Sequence, residues 1–118
     1  EFDMPRAKNR VASRAKRKKL LSQTAGNFNK RNNCYSIAKD TYLRAGVYAY
    51  RDRKQNKRNF RSLWIMRINA AARLNGMAYG KFISGLKAKG IELDRKSLAH
   101  LALHEPDAFK VLVETVKV

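Results

Sequence analysis

The sequence predicts an all-α protein: a long basic N-terminal helical extension (short helix, turn, long helix) followed by a small helical C-terminal domain. Three observations carry that prediction. Between Tyr50 and Gly76 there is no proline or glycine, so nothing interrupts a helix there. Within that stretch Phe60, Leu63, Trp64, Ile68 and Ala71 or Ala72 recur at helical spacing and mark one apolar face. Directly upstream, Arg51 to Asn59 is a run of cations and amides with one acid and no apolar residue. A helix that is polar all round has no face to bury in its own protein, so it needs an anionic partner or solvent.

Taken in order, Glu1-Phe2-Asp3 precede Met4-Pro5-Arg6, which reads as a natural start, so residues 1–3 are expected to be an upstream extension or a scar. Residues 6–21 mix cations with Ala, Val and Leu without a breaker or a convincing buried stripe. They read as a basic tail, helical when bound and largely disordered when free; only Leu20 and Leu21 point to an apolar contact. Gly26 is expected to end this first helix with a left-handed cap. Phe28, set between asparagines, either stacks on a base or packs on the next helix. From Lys30 the helical pattern resumes: Tyr35, Ala38, Tyr42, Ala45 and Ala49 form a stripe, with Gly46 a mild flaw. Unbroken from Lys30 to Asn75, this rod would run roughly 70 Å at ~1.5 Å per residue. A compact globule of this length has a radius of gyration near ~13 Å, so a rod of that length is not expected in a globular protein.

Asn75-Gly76 stops the rod. Three short helices are expected beyond it. The first carries Tyr79, Phe82, Ile83 and Leu86 on one face and closes at Gly90. After the link Ile91-Glu92-Leu93, Asp94 is a natural N-cap for a second, with Leu98, Leu101 and Ala102 inward. Glu105-Pro106 opens the third with proline at its first position, burying Phe109, Leu112, Val113 and Val116. Three such helices cannot hide all these faces alone, so the Phe60–Leu74 half of the rod is expected to be the fourth wall. The domains are therefore 1–59, a basic extension, and 60–118, a small helical domain sharing the end of the long helix.

Charge names the partner class. The 118 residues, enough for one small domain, carry a net charge of +18, and a polyanion is the natural counterpart. Residues 1–75 hold 20 Lys+Arg against 4 Asp+Glu, whereas residues 76–118 hold 7 against 5. Eight Lys+Arg lie between Arg6 and Lys19; of these, Lys8, Arg10, Arg14, Lys16, Arg17, Lys18 and Lys19 are candidate RNA contacts, as are Lys30 and Arg31. Arg51, Arg53, Lys54, Lys57, Arg58 and Arg61 read as spread around most of the helix surface, which suits a rod enclosed by RNA on several sides. Arginine over lysine favours bidentate phosphate gripping, and Tyr42, Tyr48, Tyr50 and Phe60 are available for stacking. No apolar run approaches a membrane span, and residues 51–59 lack the apolar face of a membrane-surface helix. The lone Cys34 excludes an internal disulfide. His100 and His104 lie four apart but lack further ligands and read as surface histidines. No catalytic constellation and no cofactor or metal site is expected.

The run from Lys57 to Arg73, KRNFRSLWIMRINAAAR, resembles the signature of bacterial large-subunit ribosomal protein twenty. The run Tyr48-Ala-Tyr-Arg-Asp-Arg-Lys54, the Met4-Pro5-Arg6 start, Arg17-Lys18-Lys19 and Gly90-Ile-Glu-Leu-Asp-Arg-Lys96 are similar too, so the resemblance covers residues 4–118. It departs at Glu1–Asp3 and at Gly26-Asn-Phe-Asn, where the family has an aromatic-rich Gly-Tyr-Tyr/Phe-Gly turn. The resemblance implies a structural constituent of the large ribosomal subunit that binds 23S-type rRNA directly and promotes early subunit assembly. It implies an extension that threads between rRNA helices, neighbouring large-subunit ribosomal proteins as partners, and a ribosome-bound place in a bacterial cytoplasm or an organelle derived from one. Some members repress translation of their own messenger RNA. By residue, the resemblance carries RNA contact onto Arg51, Arg53, Lys54, Lys57, Arg58, Arg61, Arg67, Asn69 and Arg73, and leaves Trp64 and Ile68 as core. The alternative, a nucleoid-type DNA-binding architectural protein, wants a dimer interface and a groove-reading face. The rod has no apolar seam for one, and no homo-oligomer is expected.

Overall fold

The computed structural model describes residues 3–118; Glu1 and Phe2, most of the expected extension, lie outside the described residues. The elements are α1 (Arg10–Gln23), α2 (Lys30–Asn33), α3 (Tyr35–Leu74), α4 (Tyr79–Ala88), α5 (Arg95–His104) and α6 (Pro106–Lys117). No strand occurs among the described residues, as the all-α reading expects. The chain divides into two compact units, Glu1–Arg53 and Lys54–Val118, and α3 contributes to both.

In the first unit, α1 buries no residue; Leu20 and Leu21 are half-buried, the apolar contact expected of them. The helix stops before Gly26. At Thr24 the N–H donates to the Leu20 carbonyl at 3.2 Å and the hydroxyl donates to the Leu21 carbonyl at 3.2 Å. A threonine hydroxyl that satisfies the last carbonyls offers the backbone an alternative to another turn. Gly26, at φ 91°, shapes the bend that follows. The expected unbroken rod from Lys30 is likewise corrected. Cys34 is extended, at φ −85° and ψ 116°, and separates the single turn of α2 from α3. Asn32 and Asn33 precede the break, and asparagine amides compete with helical hydrogen bonding. The Cys34 carbonyl then accepts the Ala38 N–H at 2.8 Å and starts α3, which is 40 residues long. Of the expected stripe only Ala38 is fully buried; Tyr35 is half-buried, and Tyr42, Ala45 and Ala49 are exposed. Phe28 is 85% exposed, so it does not pack on the next helix.

The second unit has a core of its own. Ile68 and Ala72 of α3 meet Phe82 and Leu86 of α4, Leu98 and Ala99 of α5, and Phe109 and Val113 of α6. Around them Trp64, Tyr79, Ile83, Leu101, Ala102, Leu112 and Val116 are partly buried; the faces of α4 and α6 are the expected ones, whereas on α5 the unexpected Ala99 joins Leu98 in full burial and Leu101 and Ala102 are only half-buried. Two corrections fall at the near end of the fourth wall. Phe60 and Leu63 are exposed, and Trp64 is only half-buried. Burial along α3 becomes complete at Ile68; upstream, Trp64 and Phe60 are covered only in part.

The helix ends follow local chemistry. Gly76 and Gly90 take positive φ one residue past their C-caps. At each, two backbone bonds close the end: Met77 N–H to the Ala72 carbonyl with Gly76 N–H to that of Arg73, and Ile91 N–H to that of Leu86 with Gly90 N–H to that of Lys87. This paired arrangement needs a residue without a Cβ penalty at the left-handed position. Asp94 caps α5 by accepting the Ser97 N–H at 2.8 Å, and Pro106 opens α6. Where α4 crosses α6, a Cβ on Gly85 would lie 2.1 Å from Cγ1 of Val116, so the two helices approach at a distance only glycine permits. The Lys117 ammonium donates to the Asn75 carbonyl, tying the end of α6 to the turn after α3.

Candidate nucleic-acid interface

Two features of α3 build the interface: continuous helix and continuous exposure. In the first unit every residue from Tyr42 to Arg53 is exposed, and in the second every residue from Lys54 to Leu63. The exposed set includes large apolar side chains, with Leu43 at 56%, Val47 at 64% and Tyr50 at 58%. Little of this stretch is covered, although most helical stability in proteins comes from packing.

The expected site residues fall in three places. Lys8 precedes α1, whereas Arg10, Arg14, Lys16, Arg17, Lys18 and Lys19 lie on it, all exposed. The Arg17 guanidinium lies over the Tyr35 ring, 5.0 Å from its centroid, a cation–π arrangement that fixes where this arginine points. Lys30 and Arg31 are exposed on α2. The others are on α3. Arg51 lies over the Tyr48 ring at 5.0 Å and donates to Asp52 at 3.2 Å. Both partners are well exposed, so that pair is worth little and a phosphate can compete with it. Asn69, half-buried, accepts from Arg73 Nε at 3.1 Å through its amide oxygen, and its NH2 group is the donor of that side chain.

The expected spread of cations around the helix is corrected in the second unit. At about 100° per residue, Lys54, Lys57, Arg58 and Arg61 fall within a sector of about 100°. Trp64, Ile68 and Ala72 follow along the same side. Gln55, Asn56 and Asn59 occupy the other. The face that binds the core thus continues upstream as a cationic stripe. Separation in sequence of 1 or 3 residues looks scattered when read as intervals, but summed as rotation it is a stripe.

Sequence reasoning named Lys57 and Arg61 as contacts and Phe60 as a stacking ring, but missed the groove that they share with the start of α5. Asn56, Lys57, Phe60, Arg61 and Trp64 of α3, with Asp94, Arg95 and Lys96 at the start of α5, line a groove of about 690 Å³. The Arg95 guanidinium Nε donates to the Tyr79 hydroxyl at 2.9 Å. The Asp94 carboxyl is held below its ordinary range, chiefly by hydrogen bonding to the Ser97 hydroxyl and then by the Ser97 N–H. The only signal in the sequence was the cluster Asp94-Arg95-Lys96, with nothing to say which part of α3 it faces.

Among the described residues no group of three His, Cys, Asp or Glu side chains is placed to hold a metal ion. His100 and His104 are exposed neighbours with ring centroids 4.5 Å apart. No helix among the described residues is long and apolar enough to cross a membrane.

Residues 6–112 match the family described as Ribosomal protein L20. The large ribosomal subunit protein bL20 of Flavobacterium johnsoniae is 58% identical over 114 residues, covering 97% of this chain and 100% of the relative. Its counterpart in Phocaeicola vulgatus is 56% identical, over 97% of this chain and 98% of the relative. That of Ralstonia pickettii is 54% identical, over 97% of each.

Proposed function

Since the chain belongs to the ribosomal protein L20 family, which is structural and not enzymatic, we propose that it is a constituent of the large ribosomal subunit that binds 23S-type rRNA directly and promotes early assembly of that subunit. The observation that carries the reading is the exposure of α3 from Tyr42 to Leu63. A helix with no protein core, rich in arginine and carrying exposed aromatics, is completed by folded RNA, whose phosphates neutralise the cations and whose unpaired bases take the rings. In the second unit the stripe of Lys54, Lys57, Arg58 and Arg61 faces a phosphate backbone, and Arg67, Asn69 and Arg73, which lie off the line of the stripe where α3 turns that line to the core, contact RNA from other faces of the helix. Lys8, Arg10, Arg14, Lys16, Arg17, Lys18, Lys19, Lys30, Arg31, Arg51 and Arg53 do the same from the first unit. We assign residues 1–59 as the rRNA-penetrating extension and 60–118 as the domain that anchors it, working beside neighbouring large-subunit proteins on the ribosome. Neutralising phosphates where RNA helices crowd stabilises a junction that RNA alone populates poorly.

Salt dependence tests this. If ~10 cations release counterions, log K for rRNA falls with log salt at a slope of roughly −7 to −9. Replacing Arg51, Arg53, Lys54 and Arg58 by alanine should flatten the slope by about one unit for each cation removed, with the second unit still folded. An unchanged slope, or equal affinity for duplex DNA at the same salt, would overturn the reading in favour of a DNA-architectural protein or of none.

A further inference from the structure

The groove between α3 and the start of α5 has a composition that phosphate neutralisation does not explain. Phe60 is 48% exposed, although the fold offers Trp64 as a neighbour, with ring centroids 6.3 Å apart and planes inclined by 35°. An aromatic ring left half in water beside a half-buried indole is an apolar surface waiting for a flat partner. Around it stand Lys57, Arg61, Arg95 and Lys96, four cations against the carboxylate of Asp94, which is already engaged in capping α5. Arg95 is half-buried and held by the Tyr79 hydroxyl, so its guanidinium is positioned before any ligand arrives. The volume of about 690 Å³ is ample for a nucleotide. A peptide partner that exploited the ring would have to be acidic along its length to match the rim. A nucleotide matches both at once, because every base has a π-face and every linkage a negative charge.

We propose that this groove receives one unpaired base of an RNA strand, stacked on Phe60, with the flanking phosphates held by Lys57, Arg61, Arg95 and Lys96. The proposal rests on the reading that the chain binds RNA, and it deepens it by naming one pocket where a base is taken and the cations of α3 and α5 that grip its phosphates. The α3 stripe senses phosphates and is indifferent to base pairing. The groove selects an extruded base and so marks an irregular position in an RNA helix. Trp64 is the chain's only tryptophan, which makes it a reporter confined to this site.

The experiment titrates the full chain, at fixed moderate salt, with an octauridylate strand and with a blunt, fully paired RNA duplex at equal phosphate concentration, following Trp64 fluorescence and binding together. The expected result is quenching by the single strand and little change with the duplex, although both bind. Phe60→Leu should weaken the single strand about tenfold, the scale of one base stack, and leave the duplex affinity and its salt slope unchanged. Phe60→Tyr should restore it. Because Phe60 lies outside the core, its replacement leaves thermal unfolding of the second unit as a control for folding. Binding of both RNAs with no quenching, or an equal loss for both in Phe60→Leu, overturns the groove and leaves the phosphate reading standing. Failure of both RNAs to bind overturns the phosphate reading with it. Quenching by an acidic peptide of equal charge, and by neither RNA, assigns the groove to a protein partner and overturns the proposal.

Discussion

Two stretches of α3 have the same backbone and opposite surroundings. From Tyr42 to Leu63 every residue is exposed, whereas Ile68 and Ala72 are sealed. Both are helical and both carry aromatic or aliphatic side chains. The difference lies in what covers them: α4, α5 and α6 pack on the second, whereas the first stays open even where the start of α5 faces Phe60 across the groove. Helical pattern therefore reports what a sequence prefers locally, and burial reports whether its partner is encoded in the same chain.

The contrast is open to attack, beginning where the effect is largest. Phe82→Ala removes a ring buried in the core and paired with Phe109 at 5.1 Å, and should cost about 3–5 kcal/mol. Thermal unfolding of the second unit should collapse, while the salt slope for rRNA measured on the remaining folded protein holds. A change confined to RNA binding would show that the core and the interface are not separate. Next comes Gly85→Ala, whose new methyl would lie on Cγ1 of Val116; overpacking of this kind costs about 1–3 kcal/mol. In a Val116→Ala background the penalty should largely vanish, and a penalty that persists would place the strain in the backbone instead. On the exposed stretch the sign reverses. At Gly46 an added Cβ meets nothing within 4 Å, so Gly46→Ala should stabilise the helix by about 1 kcal/mol. Circular dichroism of the free chain should gain helicity without raising the melting point of the second unit. The smallest effect is at acid pH. The Asp94 carboxyl is lowered from 3.8 by its Ser97 bonds, so its contribution is full above that value and fades as pH falls through the lowered one. The stability difference between the native chain and Asp94→Asn should be flat at neutral pH and shrink below about pH 4.

The second unit was the more legible half. Asp94, Pro106, Gly76 and Gly90 each specify a helix end by their own covalent chemistry, and each end lies where that chemistry puts it. The apolar spacing of Phe82, Leu86, Phe109 and Val113 gave the core. What escaped was extent. Phe60 and Leu63 keep the rhythm of Ile68, but rhythm cannot tell where the covering helices stop. The break at Cys34 escaped because asparagine's competition with the helix is a modest effect in a pattern otherwise favourable. The basic residues were legible as a class and misread as a distribution, since Lys54, Lys57, Arg58 and Arg61 make a stripe only once their rotation is summed. Of the groove, Lys57, Phe60 and Arg61 were legible and their union with Arg95 and Lys96 was not, because it joins residues about 35 positions apart.

The position of α6 in the chain has a consequence for synthesis. This helix supplies Phe109 and Val113 to the core, closes on Gly85 through Val116, and ties down Asn75 through Lys117. It is made after every element it closes upon. The basic residues of α1 and α3 are therefore made before the core of the second unit can close. On the proposed reading these cations are open to RNA during that interval, and the time taken to make α4 to α6 sets its length.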